Sequence, residues 1–325
     1  MTRLALQLHG NLEPERYGEL AARAEQYGLV DCTVHDLLFR RPVWPLLCDV
    51  ARATTRVAVG PNVTHPHLVH PVVTATNVAH LDDVSGGRAV LGIGRGSFYD
   101  TVGLAPPGGL AAVEEAVEVI GRVLAHDTGG WDGRWFRLAP GHALLTGEPR
   151  SVPVFLGCHG PKAVALAGRR GWGVRMAAQW DPAYPLEMRE VMRRAAADAG
   201  RDPDGVRFVV ETWPSLHPDR EKARAYARRL LANFLPRLGP LLGFYGIAEA
   251  EVEAARAASA GDERALDAIT DATIDRFMAA GDREDLARGL GALADAGFDE
   301  VSFSGQLGPD IDTALDMIGA AARPR

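Results

Sequence analysis

The strongest constraint on the fold is a repeated alternation of short apolar runs, polar or glycine-rich corners and helical segments. The alternation is clearest in residues 57–96, which read VAVGPNVTHPHLVHPVVTATNVAHLDDVSGGRAVLGIGRG. A β-branched run stops there at a Gly-Pro corner, a helical segment follows, and a second apolar run ends in Gly-Arg-Gly. Strands separated by helices pair in parallel, so the groups that follow them meet at one edge of the sheet, where ligands bind.

The same alternation continues along the chain and predicts an α/β protein with a (β/α)8 TIM barrel. Eight strands are expected, at residues 4–8, 29–34, 55–59, 88–93, 152–156, 173–177, 206–211 and 298–304. Two stretches interrupt the rhythm and are interpreted as insertions: a β-hairpin near 129–150, which contains WDGRWFRL, and a helical stretch at 218–280. Because no Ser/Gly-rich linker divides the chain, residues 1–325 are expected to form a single domain.

Composition excludes several classes of partner. Hydrophobic residues make up 47% of the 325 residues, and the net charge of −7 disfavours binding to nucleic acid or to an anionic membrane surface. Three widely spaced cysteines form neither a zinc motif nor a disulfide framework. No apolar run approaches the ~18 residues that a membrane helix needs. The sequence therefore predicts a cytoplasmic protein that acts on a small-molecule substrate.

The segment GCHGPKA at residues 157–163 indicates an anion site. A glycine-flanked corner leads into a helix that starts with Pro161, and the free N–H groups of a first helical turn bind anions. Lys162 adds a positive charge and is one of only two lysines in the sequence. The alternative is a plain helix start with a lysine that faces solvent. The sequence favours a phosphate site.

Two further corners have both a simple and a functional interpretation. Gly-Arg-Gly at residues 94–96 lacks the third glycine of a dinucleotide-binding loop, so it is either a tight turn or a place where Arg95 and Gly96 approach a flat ring or a phosphate. The polar corner NVTHP at residues 62–66 is by default a simple loop. Its alternative is a distorted strand end that holds the backbone against a cofactor ring.

The histidines fall into two groups. His9, His35 and His159 each lie at a predicted strand end and are expected to converge at one rim of the barrel. Three others, at residues 65–70, have spacings that could suit a metal, but their neighbours are prolines and valines, and no carboxylate lies close by. No metal site is predicted.

Together these motifs resemble the luciferase-like monooxygenase superfamily, and most of all its coenzyme F420-dependent branch of methylenetetrahydromethanopterin reductase-like proteins. The segments that carry the resemblance are GPNVTHPHLVHP, LDDVSGGRAVLGIGRG, VPVFLGCHGPKAVALAG and FMAAGDREDLARGLGALADAGFDEVSFS. The resemblance implies a barrel that holds F420, or alternatively FMN, at its C-terminal rim. It also suggests a homodimer.

The resemblance assigns roles to particular positions. It implies a non-proline cis peptide bond at Asn62-Val63, with Thr64 next to it, as a bulge behind the cofactor ring. It implies contacts from Asp36 to the ring. The contacts to the phosphate and tail would fall on four residues at the start of the fifth helix, His159, Gly160, Lys162 and Ala163.

The sequence departs from its relatives where acids and bases are expected. Leu37 stands where the sugar-phosphate dehydrogenases of this branch have a histidine, and Ser97 where they have a glutamate, so oxidation of a sugar phosphate is not expected. Gln7 stands where the methylene reductases have a glutamate.

The remaining candidates for a proton donor are His9, His35 and Tyr99. The leading hypothesis is an F420-dependent oxidoreductase that transfers hydride between the reduced deazaflavin and a small acceptor with a C=N or C=C bond. The alternatives are an FMN-dependent monooxygenase and a non-catalytic flavin-binding relative.

Overall fold

The computed structural model describes residues 2–97 and 99–322, and within them a barrel of eight parallel strands forms the centre of the molecule. The wall strands are β1 (Arg3–Leu8), β2 (Asp31–Val34), β3 (Ala58–Pro61), β4 (Leu91–Ile93), β7 (Val154–Gly157), β8 (Gly173–Met176), β9 (Phe208–Leu216) and β11 (Glu300–Gly305). Three further strands complete the described set: β5 (Trp131–Asp132), β6 (Arg137–Leu138) and β10 (Met278–Gly281). The predicted (β/α)8 barrel is confirmed.

The barrel closes between β3 and β4. The eight wall strands pair in the order β3-β2-β1-β11-β9-β8-β7-β4. Isolated bridges from Val59 to Ala89 and from Thr64 to Ile93 join the two ends of this order. The approach is close enough to require a glycine, because a Cβ on Gly60 would lie 2.0 Å from the Val90 carbonyl oxygen.

Helices cover the outside of the barrel. In the described chain they are α1 (Pro14–Gln26), α2 (Val43–Ala53), α3 (Pro71–Ser85), α4 (Gly109–Leu124), α5 (Pro161–Arg170), α6 (Ala183–Asp198), α7 (Arg220–Phe234), α8 (Pro240–Phe244), α9 (Glu249–Ser259), α10 (Asp271–Phe277), α11 (Arg283–Asp295) and α12 (Ile311–Ala322). The helix α1 is typical: a proline opens it, and the apolar residues Leu20, Ala21 and Ala24 are buried on one face. None of the helices in residues 2–97 and 99–322 has the length and apolar character needed to cross a bilayer.

The structure corrects the sequence prediction in the second insertion. The stretch 218–280 is not helical throughout, because residues 278–281 form β10, which pairs in parallel with the C-terminal half of β9 from Trp213 to Leu216. The N-terminal half of β9 pairs with β11 instead. The predicted hairpin is confirmed, since β5 and β6 pair antiparallel, with Trp131 opposite Leu138 and Asp132 opposite Arg137.

Candidate active site

A cavity of about 660 Å³ opens at the C-terminal ends of the barrel strands. Most of its lining residues belong to the corners that follow β2, β3, β4 and β7, and Gln7 and Ser304 contribute from β1 and β11. Trp213 of β9 and Leu238 from the helical insertion complete one wall. The strand ends therefore meet around one cavity, as parallel pairing predicts.

The corner after β3 forms a bulge in the floor of this cavity. The peptide bond between Asn62 and Val63 is cis, as the resemblance implies. The Val63 side chain projects toward two glycines: a Cβ on Gly157 would lie 2.6 Å from Val63 Cγ1, and one on Gly94 would lie 3.0 Å from Cγ2. Glycine at the ends of β4 and β7 therefore makes the space that the bulge occupies.

Hydrogen bonds hold the bulge from two sides. The Gln7 side-chain amide donates to the Asn62 carbonyl oxygen, and the Ser304 hydroxyl donates to Gln7 Oε1. On the other side Thr64 Oγ1 donates to Asp36 Oδ2 at 2.7 Å. Four of the predicted cofactor contacts, at positions 36 and 62–64, are thus brought together, although Thr64 itself is buried behind the cavity wall.

The sequence analysis missed a buried ionic cluster below the bulge. Arg175 of β8 contacts two carboxyl groups: its Nη2 donates to Asp31 of β2, and its Nη1 donates to Glu211 Oε1 of β9 at 3.3 Å. Each of the three side chains is at most 4% exposed. Asn62 Nδ2 also donates to Glu211 Oε1. A charged residue in the middle of an apolar strand was the available signal, because such residues are almost never buried without a partner.

Burial controls the protonation of this cluster. Loss of water around the two acids raises the pKa of Asp31 and that of Glu211, and the positive charge of Arg175 opposes both shifts. For Arg175, burial lowers the pKa, but attraction to Asp31 and Glu211 outweighs it, and the net shift is upward. The cluster therefore combines a fixed cation with two carboxyl groups whose pKa values are raised.

The predicted anion site lies at the start of α5. Pro161 opens the helix after Gly160, and no side chain caps the free N–H groups. Gly160, His159 and Ala163 line the cavity, whereas Lys162 is exposed and stands outside the lining. Burial lowers the pKa of His159, whose Nε2 lies 2.9 Å from the Ala177 carbonyl oxygen. Pro161 has no N–H, and Ala163 and Val164 donate theirs to the Gly160 carbonyl oxygen. What this turn offers an anion is the backbone N–H of Lys162 and the positive end of the helix dipole.

The proposed proton donors occupy different places. His35 lines the cavity, and His9 lies behind it, with His9 Nε2 at 3.4 Å from His35 Nδ1. Burial lowers the pKa of His9 to about 4 and that of His35 to about 3. Both rings are therefore neutral near pH 7 and can offer at most an N–H group.

Tyr99 packs beside the corner after β4 and does not line the cavity. Its ring meets the rings of His65 and His67 edge to face, at centroid distances of 5.4 Å and 5.9 Å. Burial raises the pKa of Tyr99 to about 12, so it is a weak acid near neutral pH. The neighbouring Arg95 and Gly96 do line the cavity. Within residues 2–97 and 99–322, no three histidine, cysteine or acidic side chains come together as a metal site requires.

Several known proteins resemble this chain in sequence and in structure. The family profile described as luciferase-like monooxygenase matches residues 1–300. A 5,10-methylenetetrahydromethanopterin reductase of Archaeoglobus fulgidus is 31% identical over 322 residues, which cover 96% of this chain and 95% of that protein. An F420-dependent glucose-6-phosphate dehydrogenase of Microbacterium testaceum is 30% identical over 55% of each chain.

The fold agrees with these sequence matches. The solved structure of the coenzyme F420-dependent tetrahydromethanopterin reductase from Methanopyrus kandleri superimposes with a TM-score of 0.90 at 26% identity, covering 98% of this chain and 97% of that one. The chain belongs to the luciferase-like monooxygenase family.

Proposed function

We propose that this protein is a coenzyme F420-dependent oxidoreductase that transfers hydride between the reduced deazaflavin and a small organic acceptor with a C=N or C=C bond. The observation that carries the proposal is the Val63 bulge, set between Gly94 and Gly157 on the floor of the cavity. Support comes from two proteins matched over almost their full length, one named a 5,10-methylenetetrahydromethanopterin reductase and the other a coenzyme F420-dependent tetrahydromethanopterin reductase.

The residues of the cavity fit a flat ring with an anionic tail. Val63 occupies the space that the glycines at positions 94 and 157 leave and forms a floor for the ring, and the N-terminal end of α5 offers its positive dipole end to an anion. His65 lines the cavity, and its buried Nδ1 has no hydrogen-bond partner among the described residues. An unpaired buried polar atom in a binding site is accounted for by a ligand.

Each group of residues then has a definite task. The reduced deazaflavin, when bound, supplies hydride. Val63 supports one face of the ring, and Asn62, Thr64 and Asp36 hold that support in place. The anionic tail is bound by four residues around the start of α5: His159, Gly160, Lys162 and Ala163. Arg95 and Gly96, in the corner after β4, approach the cofactor from the other side of the bulge. Fixing the reacting atoms in one geometry is the main contribution of such a site.

The acceptor is not a sugar phosphate on this proposal. Leu37 and Ser97 line the cavity at the positions where the resemblance places a histidine and a glutamate in the sugar-phosphate dehydrogenases. Neither side chain can act as an acid or base near neutral pH. His9, His35 and Tyr99 stay predictions for the proton donor, weakened by their burial and their shifted pKa values.

Titration of the purified protein with F420 and, in parallel, with FMN tests the proposal. Trp213 lines the cavity, so binding should quench its fluorescence. We expect F420 to quench saturably and FMN to bind far more weakly, and a Trp213→Phe variant should lose most of the signal. Tight binding of FMN without binding of F420 would replace this proposal with the FMN-dependent monooxygenase. Binding of F420 or FMN without any oxidation of the reduced cofactor would favour the non-catalytic flavin-binding relative.

Three wider expectations are also proposals. The protein is a single domain, which is supported by one hydrophobic cluster that includes barrel strands, Phe136 of the hairpin and Leu231 of the helical insertion. It is a homodimer, which the exposed Val69 and Val73 support, and light scattering would measure its mass. It is cytoplasmic, as expected for three free cysteines.

A further inference from the structure

We infer that Glu211 is the acid of this site: its carboxyl group gives the acceptor the proton that accompanies the hydride. In this step hydride adds to the carbon of the C=N or C=C bond, and the π electron pair moves to the other atom. That atom takes the proton from Glu211, which is left as a carboxylate and regains a proton from solvent through the cavity. The inference rests on the proposed function.

The position of Glu211 suits this role. It lies on β9 in the lining of the cavity, next to Asn62 of the bulge. Both of its hydrogen bonds, from Asn62 Nδ2 and Arg175 Nη1, arrive at Oε1. Because both partners are donors, Oε1 must act as an acceptor, and a proton on this carboxyl group resides on Oε2. Oε2 has no hydrogen-bond partner within residues 2–97 and 99–322.

The charges around Glu211 favour one protonated carboxyl group in the cluster of Asp31, Arg175 and Glu211. Arg175 is shared between Asp31 and Glu211, and its contact with Asp31 is the shorter one. The nearby Glu300 is already engaged by Arg207 at 2.6 Å and by Arg3 at 3.1 Å. A single buried guanidinium cannot compensate two buried carboxylates, so Asp31 takes the negative charge and Glu211 the proton. Burial raises the pKa of Glu211 in the same direction.

The other titratable groups in the lining are less suitable acids. Burial lowers the pKa of His35, His65 and His159, and it raises that of Cys158 to about 12. Asp36 is engaged as the acceptor of the Thr64 hydroxyl. Gln7, on the other side of Asn62, is an amide and has no proton to give near neutral pH.

Infrared spectroscopy of the cofactor-free protein tests the protonation of Glu211 without any reaction. The wild type and the E211Q variant, both labelled with ¹³C-glutamate, are compared at pH 7. We expect the carbonyl band of a protonated glutamic acid in the wild type, its shift in D₂O, and its loss in E211Q. The control E190Q changes an exposed carboxyl group on α6 and should keep the band. Absence of the band in the wild type, or its survival in E211Q, would overturn the inference.

Single-turnover oxidation of reduced F420, with methylenetetrahydromethanopterin as the acceptor, tests the proton transfer. The methylene carbon of this acceptor bridges two nitrogens; hydride adds to that carbon, one C–N bond breaks, and the released nitrogen takes the proton from Glu211. E211Q should be slower by about 100-fold or more, with a Kd for F420 within about twofold of the wild type. The wild-type rate should fall as rising pH ionises Glu211, a titration that Arg175, Asp31, Glu300 and Arg207 also influence. E211D should recover part of the rate.

The two proposals fail in different ways. Equal rates for the wild type and E211Q would show that the proton comes from elsewhere. A wild type that does not bind F420, or binds it and does not oxidise it with this acceptor, would count against the proposed function, while the infrared band still decides the state of Glu211.

Discussion

The two ends of the barrel treat buried carboxyl groups in opposite ways. Near the N-terminal ends of the strands, Glu300 faces two arginines, and Glu25 accepts hydrogen bonds from the backbone N–H groups of residues 55–57. Those N–H groups lower the pKa of Glu25 to about 2 against the effect of its burial, which raises it. Under the C-terminal rim, Glu211 shares Arg175 with Asp31 at the start of β2, and the pKa of Glu211 is raised. Where hydrogen-bond donors outnumber the carboxyl groups, the carboxylate form is stabilised and contributes to stability. Where one cation is shared by two carboxyl groups, one of them retains a proton that is available for transfer.

The largest expected effect comes from removing the cation under the rim. Arg175→Met should lower the free energy of unfolding by about 3–5 kcal/mol, because two buried acids would lose their partner. Urea denaturation measures the loss. Arg194→Met is the matched control: this arginine is 75% exposed and pairs with Glu190 on the same helix, so the cost should be about 0.5 kcal/mol or less. Equal losses in the two variants would contradict the contrast.

At the opposite end, the charge of Glu25 should contribute almost as much to the free energy of unfolding, and this contribution should depend on pH. The pKa of Glu25 is about 2 in the folded protein, against 4.5 for a glutamate without contacts. This difference corresponds to about 3 kcal/mol of the free energy of unfolding. Because the folded-state pKa is the lower one, this stability is present above pH 4.5 and is lost as the pH falls toward 2. Urea denaturation of the wild type and Glu25→Gln should therefore differ most at neutral pH and converge in acid. A difference independent of pH would be evidence against the role of the charge.

A steric change at the rim should affect binding more than folding. Gly157→Ala places a Cβ 2.6 Å from Val63 Cγ1 and should displace the bulge. We expect F420 affinity to fall about tenfold, since overpacking costs about 1–3 kcal/mol. Adding Val63→Ala removes the clashing methyl groups and should restore part of the affinity. Fluorescence titration measures all three proteins, and unchanged binding in Gly157→Ala would place the cofactor elsewhere.

The smallest effect is expected at the anion site. Lys162 is exposed, so its attraction to a phosphate is screened by water. Lys162→Ala should raise the Kd for F420 about two- to fivefold and change the rate at saturation less than that. Lys222→Ala removes the other lysine, which is exposed in the first turn of α7, and should leave the Kd unchanged. The same Kd for both variants would mean that the backbone of α5 binds the anion without help from Lys162.

The sequence was most informative where function depends on local geometry. Glycines at strand ends, the proline that opens α5 and the polar corner after β3 all identify their elements without any knowledge of distant residues. Resemblance to a family added the position of the cis bond at Asn62-Val63. The strand β10 escaped prediction because its four residues, Met-Ala-Ala-Gly, carry no periodic signal. It forms because the C-terminal half of β9 offers it an edge.

By itself, the sequence determined the barrel and the rim at which its corners meet, because hydrophobic periodicity and turn residues act over a few positions. The family followed from the resemblance of its motifs to known proteins. Only the tertiary structure decided how the charges are shared. Asp31, Arg175 and Glu211 lie on strands far apart in the chain, and their contacts depend on the register of the closed barrel. Protonation depends in turn on burial and on the number of partners. For this reason a neutral His35 and a protonated Glu211 follow from the fold and not from the residue types.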